Sequence, residues 1–217
     1  MDLVEIVARQ VSRRIGPAVT LEDLRSFGRE GLLHAARSFE PDRGVPFRRW
    51  ANLRIKGAVF DGIRQWGGLP RRVYRELRAL EAVDHVKESY EEEHSADPPS
   101  SPEAAHARIG EYLAGMATAM AIGSLSTRKG DPDGALGGSG GPSPEELFGN
   151  AELLAHIKAV VKRLPDRERT LLERHYFGGE TLEDAAASLG LSKSWGSRLH
   201  ARAIDALTEE LRRSGDV

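Results

Sequence analysis

Nine basic side chains lie between Arg48 and Leu80: Arg48, Arg49, Arg54, Lys56, Arg64, Arg71, Arg72, Arg75 and Arg78. Only two acids, Asp61 and Glu76, interrupt them. The next stretch, Glu81 to Asp97, carries seven acids and one lysine. The whole chain has 31 Lys+Arg and 33 Asp+Glu, so its basic charge is segregated rather than abundant. Segregation of this kind is the electrostatic footprint expected of a polyanion binder. Phe47, Trp50, Phe60 and Trp66 interleave with the charges. An aromatic face beside a basic groove suits an unpaired nucleobase, since every base has a π-face to stack upon. Phe47 and Phe60 fit better as core residues of an amphipathic helix, whereas Trp50 fits better as a stacking surface.

A second constellation lies between Thr181 and Ala206. Thr181 followed three residues later by Asp184 reads as a capped helix start. Ala186 is small enough for two helices to cross closely. Gly190 sits at a turn where a positive φ is often needed. Ser192 can cap the next helix, in which Leu199 and Ala203 face inward and Lys193, Ser194, Arg198 and Arg202 face outward. This is the pattern of a helix-turn-helix, whose second helix enters the major groove of DNA. Lys193 and Arg198 can reach guanine edges, and Arg202 is better placed for a phosphate. His200 either assists or faces solvent. Gly196 weakens the pattern, because it stands where a branched apolar residue usually packs and costs the helix about 1 kcal/mol relative to Ala.

Catalytic chemistry finds no comparable support. His34, His85, His94, His106, His156, His175 and His200 are scattered, and none forms a zinc-binding HExxH. The glycines between Gly137 and Gly141 lack the Lys-Ser/Thr of a phosphate-cradling loop. Glu91-Glu92-Glu93-His94 reads as a solvated helix end. No cofactor and no metal are expected, and the chain is expected not to be an enzyme.

The elements that must position these residues are helical. Hydrophobic residues make up 40% and aromatics 6% of the 217 residues, with Leu and Ala supplying most of the apolar content. Leu3, Val4, Val7 and Val11 recur at helical spacing, and Thr20 with Asp23 marks another capped start. Glu40 to Pro46 must be a loop, after which helical spacing returns at Phe47. Arg71–Glu93 and Ala104–Leu125 are helix-prone. Gly-rich Arg128–Pro144 reads as a flexible linker, because it cannot bury enough apolar surface to order itself. No alternating run predicts a strand. The expected fold is all-α: an N-terminal helical bundle and a C-terminal helix-turn-helix domain joined by flexible linkers. With no cysteine, no signal peptide and no long apolar run, a cytoplasmic protein away from membranes is expected.

The two constellations together resemble the sigma-70 family of RNA polymerase sigma factors. Asp23-Leu24-Arg25-Ser26-Phe27-Gly28-Arg29-Glu30-Gly31-Leu32 and Phe39-Glu40-Pro41-Asp42-Arg43-Gly44 resemble its polymerase-binding helices. Phe47-Arg48-Arg49-Trp50-Ala51, Arg54-Ile55-Lys56-Gly57-Ala58-Val59-Phe60-Asp61-Gly62-Ile63-Arg64 and Leu69-Pro70-Arg71-Arg72 resemble its promoter-melting helix and the stretch after it. Leu164-Pro165-Asp166-Arg167-Glu168-Arg169 and Leu191-Ser192-Lys193-Ser194-Trp195-Gly196-Ser197-Arg198-Leu199 resemble the domain that reads the upstream promoter element. The wording is nearest to the flagellar and sporulation-type alternative subgroup.

The resemblance implies a sigma region 2-like domain over 1–80, a degenerate region 3-like segment over 81–127, a linker over 128–144 and a region 4-like domain over 145–213. Asp23, Ser26 and Arg29 would face the clamp helices of the polymerase core, and the flap of the large subunits is the other expected core contact. Trp50 would stack on a flipped base of the downstream element, with Phe47, Arg48, Arg49, Arg54, Lys56, Arg64, Arg71 and Arg72 along the melted strand. Lys193, Ser194 and Arg198, with Thr181, Ser192, Trp195, Ser197 and Arg202 around them, would serve the upstream element. Leu53-Arg54 replaces the paired aromatics of housekeeping members. Expected partners are therefore polymerase core and promoter DNA, double- and single-stranded, with room for an anti-sigma factor. The rival reading is a helix-turn-helix regulator that never engages polymerase, and core binding in the absence of DNA separates the two.

Overall fold

In a computed structural model, residues 2–43, 46–65, 69–94, 98–126 and 144–214 are described here. Among them every regular element is helical. The chain divides into two compact units between Leu77 and Arg78.

The first unit holds α1 (Leu3–Ile15), α2 (Leu21–Arg37), α3 (Phe47–Gln65) and the start of α4 (Arg71–His94). Each start has a local cause. The Asp2 carboxylate accepts from Val4 N–H at the head of α1, and Thr20 Oγ1 accepts from Asp23 N–H at the head of α2. α1 ends at Gly16, whose φ of 67° few other residues tolerate. Val4, Val7, Ala8, Val11 and Ile15 form the buried stripe of α1. Leu24, Gly28, Gly31 and Ala35 form that of α2, and Ala51, Ile55, Val59, Phe60 and Ile63 that of α3. α2 and α3 cross closely at Gly31, where a Cβ would lie 2.7 Å from both Ala58 Cβ and the Arg54 carbonyl oxygen. Arg25 fastens α2 to α1 through two hydrogen bonds to Glu5, of 2.6 and 2.9 Å.

The second unit holds the rest of α4, α5 (Pro102–Ser124), α6 (Pro144–Val161), α7 (Asp166–Leu172), a π-helical turn at Glu173–Phe177, α8 (Leu182–Ser188) and α9 (Lys193–Arg213). One core joins Ala82 and Val86 of α4, Ala119 and Ile122 of α5 and Leu154, Ile157, Val160 and Val161 of α6 to Ala203, Ile204, Leu207 and Leu211 of α9. The middle segment and the C-terminal block therefore share apolar contacts. The Gly-rich stretch ahead of Pro144 lies outside the described residues. A smaller cluster of Leu171, Ala185, Ala186 and Leu199 holds α7, α8 and the N-terminal half of α9 together.

Arg78 differs from what the charge run suggests. It is 1% exposed and so adds nothing to a surface groove. It pairs with Glu81 at 3.2 Å, donates to the carbonyls of His175 and Glu180, and lies 3.1 Å from His175 Nδ1. Both terminal nitrogens of the guanidinium are thereby hydrogen-bonded, which offsets much of the cost of burying the charge. His200 is also fully buried, so it neither faces solvent nor lies on the outer surface of α9. Its Nε2 shares a 2.7 Å hydrogen bond with Tyr176 Oη.

Candidate nucleic-acid interface

In the first unit the aromatic and basic residues gather on α3. Trp50 is half-buried, and its indole N–H donates to the Ala35 carbonyl of α2 at 3.2 Å. That bond restrains the indole, and the residue stays partly exposed. Arg54, one turn on, lies 4.3 Å above the indole centroid, so a cation already covers one face. Phe47 is 40% exposed and meets Phe39 edge-to-face at 5.0 Å, so it is not the core residue its spacing suggested. Its place in the first turn of α3 leaves it above the buried stripe. Phe60 is buried, as expected.

Arg48 and Arg72 are exposed, and Arg49, Arg54, Lys56 and Arg64 are partly exposed. Arg64 pairs with Asp61. The side chain of Arg71 and the whole of Trp66 lie outside the described residues. On α2, Ser26 and Arg29 are exposed and Asp23 is half-buried, with Arg29 held by Glu22 at 3.2 Å. Asp23 also accepts from the Thr20 hydroxyl. Its carboxylate therefore already serves the helix start.

In the second unit the helix-turn-helix is built as its residues suggested. Thr181 Oγ1 accepts from Asp184 N–H at 3.0 Å and opens α8. Gly190 turns the chain at φ 71°, and Ser192 Oγ accepts from Trp195 N–H at 3.4 Å to open α9. Thr181 and Ser192 thus use their hydroxyls as caps. Gly196 is no flaw in this motif. It is buried against α8, where a Cβ would fall 2.5 Å from Ala186 Cβ. Glycine is what lets the two helices approach.

Lys193, Ser194, Trp195, Arg198 and Arg202 are exposed and Ser197 is half-buried, all on the outer part of α9. Lys193 reaches Glu183 of α8 at 3.0 Å, and Arg202 reaches Glu168 of α7 at 2.7 Å. These two acids were not singled out from sequence. Nothing local marks them, because each lies ten or more residues from its arginine or lysine. Lys193–Glu183 is an exposed pair that contributes little to stability, whereas Glu168 is buried, so Arg202 is held by an acid that water does not screen.

Among the described residues no group of three or more His, Cys, Asp or Glu is placed to hold a metal. Nor is any helix among them long and apolar enough to cross a membrane. A helical chain with a basic aromatic helix and an exposed, capped recognition helix is a DNA-binding protein of the helix-turn-helix class.

Comparison with known proteins narrows the class. Sigma-70 region 2 matches residues 2–67, and Sigma-70 region 4 matches residues 160–209, together more than half of the chain. RNA polymerase sigma factor FliA of Pseudomonas aeruginosa is 28% identical over 225 residues, covering 96% of this chain and 86% of that protein. RNA polymerase sigma-D factor of Bacillus subtilis is 26% identical over 217 residues, covering 94% of this chain and 83% of the relative. A solved flagellar sigma/anti-sigma complex, Sigma-28/FlgM, aligns at 24% identity and a TM-score of 0.31 over 97% of this chain and 90% of that one. The chain belongs to the sigma-70 family of RNA polymerase sigma factors, and the relatives it is similar to include flagellar-type members.

Proposed function

We propose that the chain binds a bacterial RNA polymerase core, brings it to promoters and assists strand opening, without catalysing a reaction itself. It would work where polymerase works, in the cytoplasm. The observation that carries this reading is Trp50. It is an indole set on the basic helix α3, pinned through its N–H to α2 and flanked by Arg54. A ring restrained beside positive charge meets an unstacked base with little further loss of freedom. Arg48, Arg49, Lys56, Arg64, Arg71 and Arg72 hold the phosphates of the same strand.

The recognition helix serves the upstream element, with Lys193, Ser194 and Arg198 toward base edges and Arg202 toward a phosphate. Asp23, Ser26 and Arg29 on α2 are the contacts to the core. Relatives named as RNA polymerase sigma factors support a core partner, and an anti-sigma factor is a further partner of the same reading. The test is association of the full chain with purified polymerase core in the absence of DNA, followed by transcription from a genomic template library. Core binding with start sites that differ from those of core alone is expected. A chain that binds DNA but never core would instead be a helix-turn-helix regulator.

A further inference from the structure

Trp195 is the one large apolar side chain on α9, among the described residues, that the fold leaves 56% exposed. It occupies the third position of the helix, where side chains of a recognition helix meet base edges. Its backbone is anchored. Its own N–H is bound by Ser192, and the following residue, Gly196, is pressed against Ala186. Arg198, three residues on, carries its guanidinium 5.7 Å from the indole centroid. Lys193 and Arg202 flank this pair but are drawn to Glu183 and Glu168 on the neighbouring helices.

An exposed indole gains by leaving water, and the apolar feature of the major groove is the 5-methyl group of thymine. A guanidinium drawn toward the ring by its cation–π attraction has fewer arrangements to lose when it pairs with the O6 and N7 of a guanine. We infer that Trp195 is a specificity-determining residue: it reads a thymine in the upstream element through its methyl group and aims Arg198 at a neighbouring guanine. This rests on the proposed sigma-factor function and names which bases that function selects.

The experiment uses holoenzyme reconstituted from purified bacterial core and the full chain, with promoter fragments randomised over the upstream element. The wild-type holoenzyme enriches thymine at one position and guanine beside it, while Trp195→Ala loses the thymine preference and blurs the guanine. Trp195→Phe, which keeps an apolar ring, retains part of the thymine preference. Replacing that thymine with deoxyuridine removes only the methyl group. It weakens the wild type about four-fold, the worth of one buried methyl, and leaves Trp195→Ala unchanged.

An unaltered base preference in Trp195→Ala, or a loss spread evenly over all sequences, overturns the inference. The even loss would place the ring against polymerase rather than DNA. A wild-type holoenzyme that retains no fragment beyond core alone is a different failure, since it removes the proposed function and this inference with it.

Discussion

Gly196 and Ala186 touch where α8 and α9 cross, with no room between them for one more carbon. The helix-turn-helix angle is set at this point, so the pair governs where every exposed side chain of α9 lies. Gly196→Ala removes an unfavourable helix former, a gain of about 1 kcal/mol. It also forces a Cβ into a 2.5 Å contact, and overpacking of this kind costs about 1–3 kcal/mol. A net loss of stability is expected in urea unfolding followed by circular dichroism. Combining it with Ala186→Gly relieves the contact and recovers part of the loss. A stabilised single variant would mean that the crossing has slack.

Trp50→Ala removes the stacking face and leaves α2, with its Asp23, Ser26 and Arg29, in place. Core association is expected to persist while promoter opening falls, as read by permanganate reactivity of unpaired thymines. Unchanged reactivity would show that the ring does not meet a flipped base. Trp50→Phe tests the anchoring separately, because it keeps a ring but loses the bond to the Ala35 carbonyl.

Arg198→Ala relaxes preference at one upstream base pair, a loss of about 1–3 kcal/mol for a bidentate contact. Arg202→Ala, by contrast, weakens binding to all sequences alike and lowers the salt dependence of binding. Competition binding of holoenzyme to a set of single-base promoter variants, repeated at two salt concentrations, separates the two. A uniform loss for Arg198→Ala would make it a phosphate contact.

Acid acts on the two units at different pH. Burial holds His175 and His200 well below their ordinary pKa, with the Arg78 charge helping at His175 and His85 at His200. Glu81 is the acid that faces the same cluster through Arg78. Unfolded imidazoles take up protons near 6.5 that the folded ones refuse, so the unfolded state binds more protons below that pH. Stability of the second unit therefore falls as pH drops from about 6.5. Glu5 acts later. Hydrogen bonds from Arg25 and then Arg9 lower it from 4.5 to about 2, so its contribution is complete above 4.5 and lost on the way to 2. Thermal unfolding between pH 7 and 3 is expected to show the early loss shrink in His200→Phe, while Glu5→Gln alters only the later one.

What could be read from sequence was what is decided locally. Thr20, Thr181 and Ser192 announce helix starts because each hydroxyl bonds an amide three residues away. Gly190 announces its turn through its own φ. The helices from Arg71 and from Ala104 onward follow from helix-prone composition, within a residue or two of α4 and α5. Partners distant in the chain were hidden. Arg78 looked like one more cation of a groove, because the residues that bury it lie about a hundred positions on. His200 gave no sign that Tyr176 waits for it, and Gly196 looked like a defect until Ala186 was seen against it. Phe47 misled for a different reason: periodicity locates a stripe but not the turn at which it surfaces.

The recognition helix is divided along its length. Its first turns offer Lys193, Ser194, Trp195 and Arg198 to the outside, while Ala203, Ile204, Leu207 and Leu211 in its last turns are sealed against α4, α5 and α6. Under the proposed function, the residues offered to a promoter and the residues that anchor the helix are thus different residues on one rod. Descendants of this protein can acquire a new set of target genes by exchanging a few outward side chains, with the scaffold beneath untouched.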